Sequence, residues 1–257
     1  MNYQAACITH RGLVRSSNED AIYISGHLFA ESSQEDIHEF SSNNDAYWLV
    51  AVADGLGGHN SGEVASRFCL ESLSNISNPN RDNLIQTLHL ANRNLYRLML
   101  ENPDQSGMGT TVAGMAYGSD GLLCFNVGDS RVYRFQDNFL NQLTKDDSTA
   151  QVLEDAGFVE HGESRPESMH FLTQSIGGRS QIVDIKPHVE SVRIKSTSKF
   201  LICSDGLTDY TDLDALEDAC EGKDLQGACK SLLAVAIERG GKDNISIITM
   251  KISCNNE

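Results

Sequence analysis

Four aspartates in this sequence stand where an apolar segment meets a turn that contains glycine or asparagine. They are Asp54, Asp129, Asp205 and Asp243, in the segments 48–55, 123–130, 200–206 and 240–244. The end of a strand fixes the direction of a side chain, and glycine lets backbone or ligand approach closely. Carboxylates that converge without basic partners are costly to bury, whereas a pair of divalent cations would stabilise them. Oxygen ligands of this kind suit Mg²⁺ or Mn²⁺.

Any one of these aspartates could simply mark a turn, and for a single site that is the simpler interpretation. Four such sites in one chain, each next to a segment with the character of a buried strand, favour a metal centre instead. The sequence has no histidine cluster and no Cys-x-x-Cys pair, which argues against zinc.

Apolar periodicity predicts the helices and strands that must hold these residues. The predicted helices cover 62–75, 83–101 and 225–236, and the predicted strands cover 5–9, 21–24, 47–53, 110–117, 121–127, 131–135, 183–194, 199–203 and 245–251. Short turns at 118–121 and 136–138 indicate antiparallel sheets, and two consecutive helices indicate a helical layer over a sheet. The polar segment 31–45 is predicted to be a mobile surface loop.

The charge of the chain excludes two classes of partner. Twenty basic residues against 36 acidic ones give a formal net charge of −16. An excess of this size repels nucleic acid and anionic membranes at long range, so we expect neither as a partner. For most of these carboxylates the expected role is a solvated surface.

Cysteine usage and the N-terminal segment predict a soluble, cytoplasmic protein. The seven cysteines are an odd number and fall mainly in apolar runs, which suits free thiols in a reducing compartment. The first residues lack the basic start and apolar stretch of a signal peptide, and no segment approaches the ~18 apolar residues of a membrane span. With four prolines and no linker-like tract, residues 1–257 are predicted to form one domain.

Eight short motifs follow one another along nearly the whole chain. They are GLVRSSNED (12–20), VADGLGGH (52–59), GTT (109–111), VGDSR (127–131), LTKDDS (143–148), LTQSIGG (172–178), CSDGLTD (203–209) and GKDN (241–244). In this order they resemble the motifs of the metal-dependent Ser/Thr protein phosphatases, the PPM or 2C-type family, in its bacterial single-domain form. One such string would be weak evidence, but eight in the right order are very specific.

The resemblance implies an α+β fold, a four-layer α-β-β-α sandwich of two mainly antiparallel sheets. The metal pair would lie at one edge, between the sheets. Asp54 would bridge both metals, and the Gly55 carbonyl would contribute to one of them. Asp205 and Asp243 would complete the shell of the other metal.

The same resemblance assigns the remaining candidate residues. Glu19 and Asp20 would stand at the second metal, partly through water, with Asp20 preferred. Asp129 would join Asp205 around a third, weaker metal. Arg15 would clamp the phosphate, because a guanidinium group pairs with two phosphoryl oxygens at once.

The expected activity is hydrolysis of phosphoserine and phosphothreonine in proteins. Water bridging two Mn²⁺ or Mg²⁺ ions ~3.5–4 Å apart would attack phosphorus in line, opposite the serine or threonine oxygen. The expected partners are phosphorylated proteins and an opposing bacterial Ser/Thr kinase, and a monomer is the default expectation. A catalytically silent phosphoprotein-binding member is disfavoured because Asp54, Asp205 and Asp243 are all present. A hydrolase of small phosphate esters shares this chemistry and stays open.

The chain departs from the family pattern at three places. Leu56 stands where animal relatives carry a histidine, so His59 becomes the candidate general acid, with a helix cap, a position on the rim or a metal-bound water as alternatives. Asp147 replaces a histidine of the family pattern, which should alter the segment 146–170, a flap beside the active site in relatives. The 31–45 segment is longer than in bacterial relatives, and is either a partner-binding feature or an inert insertion.

Overall fold

The structure, a computed structural model, describes residues 1–43, 45–57, 61–158 and 171–254. Its first sheet contains β1 (Asn2–His10), β4 (His38–Ser41), β10 (Arg131–Gln136), β11 (Phe139–Gln142), β14 (Thr197–Cys203) and β15 (Ile245–Ser253). These strands lie in the order β11-β10-β14-β15-β1-β4, and each neighbouring pair is antiparallel. Strands from the two ends of the chain, β1 and β15, therefore pair in the middle of this sheet.

The second sheet contains β2 (Ala21–Ile24), β3 (His27–Ala30), β5 (Trp48–Ala53), β8 (Val112–Gly118), β9 (Gly121–Val127) and β13 (His188–Ser191). Their order is β13-β9-β8-β5-β2-β3, again with antiparallel neighbours. A smaller ribbon joins β6 (Gly55–Leu56), β7 (Gly109–Thr110) and β12 (Ile176–Gly177). This ribbon continues directly from the end of β5, where Asp54 lies.

Helices cover the outer face of each sheet. The described helices are α1 (Gly62–Ser74), α2 (Arg81–Glu101), α3 (Thr149–Asp155), α4 (Asp205–Thr208), α5 (Leu213–Cys220) and α6 (Leu225–Glu238), with a 3₁₀ turn at Pro103–Gln105. Helix α2 begins at a reciprocal capping box between Asn80 and Asn83, which satisfies backbone N–H groups of its first turn. Among the residues described, no helix is both long and apolar enough to cross a bilayer.

Alternating side chains on each strand build the layers. On β5, Leu49, Ala51 and Ala53 pack toward α1 and α2. Their neighbours Trp48, Val50 and Val52 face the other way, into the core between the two sheets. On β14 the same alternation sends Leu201 and Cys203 toward α5 and α6, and Phe200 and Ile202 between the sheets. Three apolar interfaces separate four layers, so the expected α-β-β-α sandwich is confirmed.

The predicted helices at 62–75, 83–101 and 225–236 correspond to α1, α2 and α6, and most predicted strands are present. Both predicted hairpin turns are also confirmed. The turn between β10 and β11 has positive φ at Asp137 (54°) and Asn138 (68°). This backbone conformation matches the twist of antiparallel strands.

The prediction of a mobile loop at 31–45 is wrong over part of its length. This segment contains β4, which pairs with β1 at the edge of the first sheet. Phe40 of β4 packs against Phe29 of β3, with ring centroids 6.0 Å apart, and so closes that side of the sandwich. A four-residue strand rich in polar residues has too little apolar alternation to stand out in a sequence, and Asn44 lies outside the described residues.

Other differences concern short elements. The strand predicted at 183–194 is reduced to β13, because Pro187 lacks the N–H that a ladder requires. The strands β3 and β11 and the helices α3, α4 and α5 were not predicted, since four to eight residues carry too little periodicity. The predicted flap at 146–170 begins with α3, whose first turn is capped by Ser148 Oγ accepting from Gln151 N at 3.2 Å. Residues 159–170 of that flap lie outside the described part of the chain.

A buried ion pair joins β10 to the segment that precedes α3. The guanidinium of Arg131 donates to Asp146 through Nε (2.9 Å) and Nη2 (2.6 Å). Gln142 Nε2 donates to the other carboxylate oxygen at 2.7 Å. The Asp146 side chain is 4% exposed and that of Arg131 is 20% exposed. Removing one partner of such a pair leaves the other charge without compensation in a poorly solvated place.

We predict that Asp146→Asn lowers the free energy of unfolding by about 2–3 kcal/mol. This is less than the full penalty for a broken buried pair, because the remaining exposure of Arg131 allows partial solvation. The measurement is urea denaturation followed by circular dichroism. The matched control is Asp155→Asn, which breaks the exposed pair with Lys145 and should change stability far less. Equal losses in the two variants would contradict the prediction.

Candidate metal centre

The candidate acidic residues all stand at ends of strands, and both sheets contribute to them. Asp20 directly precedes β2, Asp54 directly follows β5 and Asp129 comes two residues after the end of β9, all in the second sheet. Asp205 comes two residues after the end of β14 and begins α4, and Asp243 lies two residues before β15, both in the first sheet. These side chains therefore lie at one edge of the sandwich, where the sheets meet.

The charges of several other carboxylates act on the Asp54 carboxyl group. Burial raises the pKa of the Asp54 carboxyl well above its ordinary value, and Asp205 and Asp20 raise it further. The carboxyl groups of Asp54 and Asp205 are close enough for each to affect the pKa of the other.

The backbone of Asp54 is fixed by the Gly-Thr-Thr motif. Its carbonyl oxygen accepts hydrogen bonds from Thr110 Oγ1 (2.8 Å) and from Thr111 N (2.9 Å). Thr111 Oγ1 in turn accepts from Asp54 N at 3.3 Å. The sequence predicted only tight backbone packing for this motif. The structure shows that its hydroxyl groups hold the peptide of a candidate metal ligand.

Asp20 is completely buried, and only one of its two carboxylate oxygens accepts a hydrogen bond. Ser204 Oγ donates to Asp20 Oδ2 at 2.7 Å. The other oxygen, Oδ1, is buried without any hydrogen-bond partner. Burial raises the pKa of Asp20 to about 7, although hydrogen bonds from Ser204 and Ser246 act in the opposite direction. A buried carboxylate oxygen without a donor fits a site that a cation completes.

Glu19 lies on the other side of the group, against the start of α1. A Cβ atom on Gly62 would lie 2.1 Å from Glu19 Oε2, so only glycine leaves room for this carboxylate. Burial raises the pKa of Glu19, followed by the charge of Glu63. The backbone N of Glu19 donates to Asn244 Oδ1 at 2.8 Å, which ties it to the segment of Asp243.

A second acidic group surrounds Asp129. Burial raises the pKa of Asp129 well above its ordinary value, and Asp205, Asp146 and Asp209 raise it further, while Arg131 lowers it. Asp209 also contributes, after burial, to raising the pKa of Asp205 to about 7. The sequence reasoning did not single out Asp209. Its position in the motif of Asp205, four residues later and one helical turn away, was the signal that could have found it.

Arg15 forms an ion pair with one of these carboxylates, that of Asp243. Its Nη2 lies 2.5 Å from Asp243 Oδ2, and its side chain is 55% exposed. The hydrogen bond with Asp243 raises the pKa of Arg15, and the charges of Asp54 and Glu19 act in the same direction. The sequence-predicted phosphate clamp is thus beside the predicted metal ligands and accessible from solvent.

The loop that carries Arg15 packs on the segment that carries Asp243. Leu13 N donates to the Gly241 carbonyl at 2.7 Å. Gly12 has φ +78°, and a Cβ there would lie 2.2 Å from the Asp243 carbonyl oxygen. Asn244 Nδ2 donates to the carbonyls of Arg11 and Ser17, both at 2.9 Å. The first and last motifs of the chain therefore form one backbone unit.

The donor set fits a hard divalent cation. The side chains that could act as metal ligands are all carboxylates, and Asp20 Oδ1 has no hydrogen-bond partner. Within the described ranges, no three or more His, Cys, Asp or Glu side chains stand together as a ready-made metal site. One of the carboxylates, Asp243, is instead paired with Arg15, a contact that a divalent cation can replace. His59 lies outside the described residues, so its role as general acid stays a prediction.

Comparison with known proteins agrees with this geometry. A model of the protein phosphatase 2C family matches residues 25–226. The serine/threonine phosphatase stp of Listeria welshimeri is 31% identical over 255 residues, which cover 95% of this chain and 93% of that protein. Serine/threonine protein phosphatase PstP of Mycobacterium tuberculosis is 28% identical over 254 residues, and the match covers 96% of this chain but only 44% of PstP. This chain thus spans less than half the length of PstP.

Solved structures extend the likeness to the fold. The catalytic domain of PstP in complex with two manganese ions superposes with a TM-score of 0.76 at 28% identity. The superposition covers 99% of this chain and 100% of that one. Together with the family model over residues 25–226, these matches establish that the chain belongs to the protein phosphatase 2C family.

Proposed function

We propose that this chain hydrolyses phosphoserine and phosphothreonine in proteins with the help of two divalent cations, Mn²⁺ or Mg²⁺. The observation that carries the proposal is the convergence of buried carboxylates from both sheets, with the accessible guanidinium of Arg15 beside them. Membership of a family whose relatives are named Ser/Thr phosphatases supports the same activity. A manganese pair in the PstP catalytic domain supports the choice of cation.

The residues have distinct roles in this proposal. Asp54 would serve both cations, with the Gly55 carbonyl as a further ligand. Asp205 and Asp243 would hold one cation, and Asp20 and Glu19 would serve the other. When bound, the two cations supply a water of lowered pKa as the nucleophile and offset negative charge on the phosphoryl oxygens.

Arg15 binds two phosphoryl oxygens and orients the ester for in-line attack. Its ion pair with Asp243 keeps the guanidinium at the rim of the site. With Asp243 holding a cation, the guanidinium of Arg15 would be available to the phosphate. Asp129, with Asp205 and Asp209, provides a further and weaker cation site.

The proposal extends to partners and setting. We infer that the substrates are phosphorylated proteins, that the enzyme opposes a bacterial Ser/Thr kinase, and that it acts as a monomer in the cytoplasm. The strongly negative charge of the chain gives no support to a nucleic-acid or membrane partner. The proton on the leaving alkoxide comes from His59 or from water, because Leu56 has no proton to donate.

We predict that Asp205→Asn abolishes hydrolysis of a phosphothreonine peptide in the presence of Mn²⁺, and that a chelator abolishes it in the wild type. The asparagine removes a charge that two candidate cation sites share. Phosphate release is the measurement, and Asp104→Asn, at an exposed carboxylate, is the matched control. Full activity of Asp205→Asn would refute the metal assignment. A higher kcat/KM for a small phosphate ester than for the peptide would favour the small-ester hypothesis.

Arg15→Ala is expected to raise KM about 10- to 100-fold, the cost of losing a charged two-point hydrogen bond to phosphate. The effect falls on KM because the guanidinium engages phosphate both before and during transfer. Steady-state kinetics on the same peptide measure it. Arg239→Ala, which removes an exposed arginine paired with Asp212, should leave KM unchanged. Unchanged kinetics in Arg15→Ala would remove Arg15 from the site.

Metal binding should stabilise the protein more at about pH 7.5 than at about pH 5.5. The pKa of Asp20 and that of Asp205 are each raised to about 7 in the folded chain, whereas unfolded aspartates release their protons near pH ~3.9. The folded state therefore binds more protons between these values, and these two groups lower the free energy of unfolding as pH rises from about 4 to about 7. Mn²⁺ removes this penalty, because it binds the deprotonated carboxylates.

The measurement for this prediction is the melting temperature with and without Mn²⁺ at the two pH values. The increment from Mn²⁺ should be larger at the higher pH. The variant Asp205→Asn is the control, since it removes one of the two titrating groups, and its increments should differ less. Equal increments in the wild type at both pH values would contradict the prediction.

A further inference from the structure

A connected group of buried polar side chains stands behind Asp20, on the side away from solvent. Its members are Thr9, Asn18, Ser204 and Ser246, which are 0%, 5%, 0% and 0% exposed, next to Asp20 at 0%. We call these four residues the Asp20 support network. Buried hydroxyl and amide groups are costly unless they are fully hydrogen-bonded, so the arrangement of their bonds is informative.

Hydrogen bonds connect Asn18, Thr9 and Ser246 beside the carboxylate. Asn18 Nδ2 donates to Thr9 Oγ1 at 2.8 Å. Thr9 and Ser246 are joined through their hydroxyl oxygens at 2.8 Å, and either hydroxyl can be the donor of this bond. Ser246 is also near enough to Asp20 for its hydroxyl to favour the ionised carboxylate, which lowers the pKa of Asp20.

Ser204 provides a second route to the same carboxylate. Its Oγ accepts from Ser246 N at 3.0 Å and donates to Asp20 Oδ2 at 2.7 Å. Ser204 occupies the N-cap position of α4, where serine commonly caps a backbone N–H of the first turn. Here its side chain makes no capping bond. The hydroxyl is instead committed to Asp20.

The result is a carboxylate whose two oxygens have different environments. The Ser204 hydroxyl at the start of α4 donates to Oδ2 and is itself held by the backbone N–H of Ser246 on β15, while Oδ1 has no partner. We propose that Thr9, Ser204 and Ser246 are positioning residues, which hold Asp20 so that Oδ1 is reserved for the divalent cation. This inference rests on the proposed metal-dependent function and assigns roles to residues that do not touch the cation themselves.

The physical basis is orientation and charge. A buried carboxylate whose oxygen is already held by an anchored hydroxyl loses less rotational freedom when a cation binds. Hydroxyl donors also favour the ionised carboxylate, which the cation requires, against the opposing effect of burial. Groups that orient a metal ligand in this way typically contribute a factor of about 10–100 to metal affinity.

The test is Ser246→Ala, studied in protein stripped of metal and titrated with Mn²⁺ by calorimetry. The expected result is a loss of about 10- to 100-fold in one of the manganese affinities. The conservative variant Ser246→Thr retains the hydroxyl and should keep the wild-type affinity. Thr249→Val is the matched control on the same strand, because its buried hydroxyl donates to the Ala6 and Leu225 carbonyls instead. It should lower the melting temperature without changing manganese affinity.

The outcomes separate a positioning role from a merely structural one. A lower melting temperature in Ser246→Ala with unchanged manganese affinity would overturn the inference. If Ser246→Ala does not fold, Thr9→Val answers the same question from the far end of the network, where it does not contact Asp20. A weakened manganese affinity there supports positioning, and an unchanged affinity overturns it. Failure of the wild type to hydrolyse phosphopeptides would count against the proposed function alone, since the affinities are measured independently of turnover.

Discussion

Mutual repulsion among buried carboxylates is the constraint on which the rest of this structure depends. The repulsion is evident at Asp54, because burial and the charges of Asp205 and Asp20 all raise the pKa of its carboxyl group. No arrangement of apolar side chains could hold these groups ionised so close together. Hydroxyl donors to Asp20 and the guanidinium of Arg15 reduce the repulsion. The same arrangement prepares the site for divalent cations.

The sandwich architecture makes this convergence possible. Each sheet has helices on one face and the other sheet on the other face, so its central strands are buried on both sides. Strand ends from both sheets then meet at one edge, where the side chains can leave the apolar core. Rigid strands restrict the positions of the aspartates, and the short segments that follow the strands supply the bonds that fix them. The Asp20 support network is the clearest example, because it joins β1, β15 and α4 behind one carboxylate.

Contacts between distant parts of the chain decide the electrostatics of the site. The Arg15 loop is attached to the 240–244 segment by backbone bonds, so the guanidinium is delivered to Asp243 across more than two hundred residues of sequence. Asp147, which replaces a histidine of the family pattern, is also held by contacts with residues distant in the sequence. Asp147 Oδ1 pairs with His188 Nε2 at 3.0 Å, and Oδ2 accepts from Gly128 N at 2.9 Å, next to Asp129. The hydrogen bond to Asp147 raises the pKa of His188.

The sequence by itself determined the acidic ligand candidates, the family and the layered fold, because strand-end aspartates and apolar alternation are local patterns. It also determined the long helices α1, α2 and α6, whose stripes extend over several turns. Only the tertiary structure decided that β4 completes a sheet, that Asp209 stands beside Asp129, and which hydroxyl groups support Asp20. These features depend on residues that are brought together from different parts of the chain. The strength of a hydrogen bond or a charge interaction depends on distance in space, which local sequence patterns do not contain.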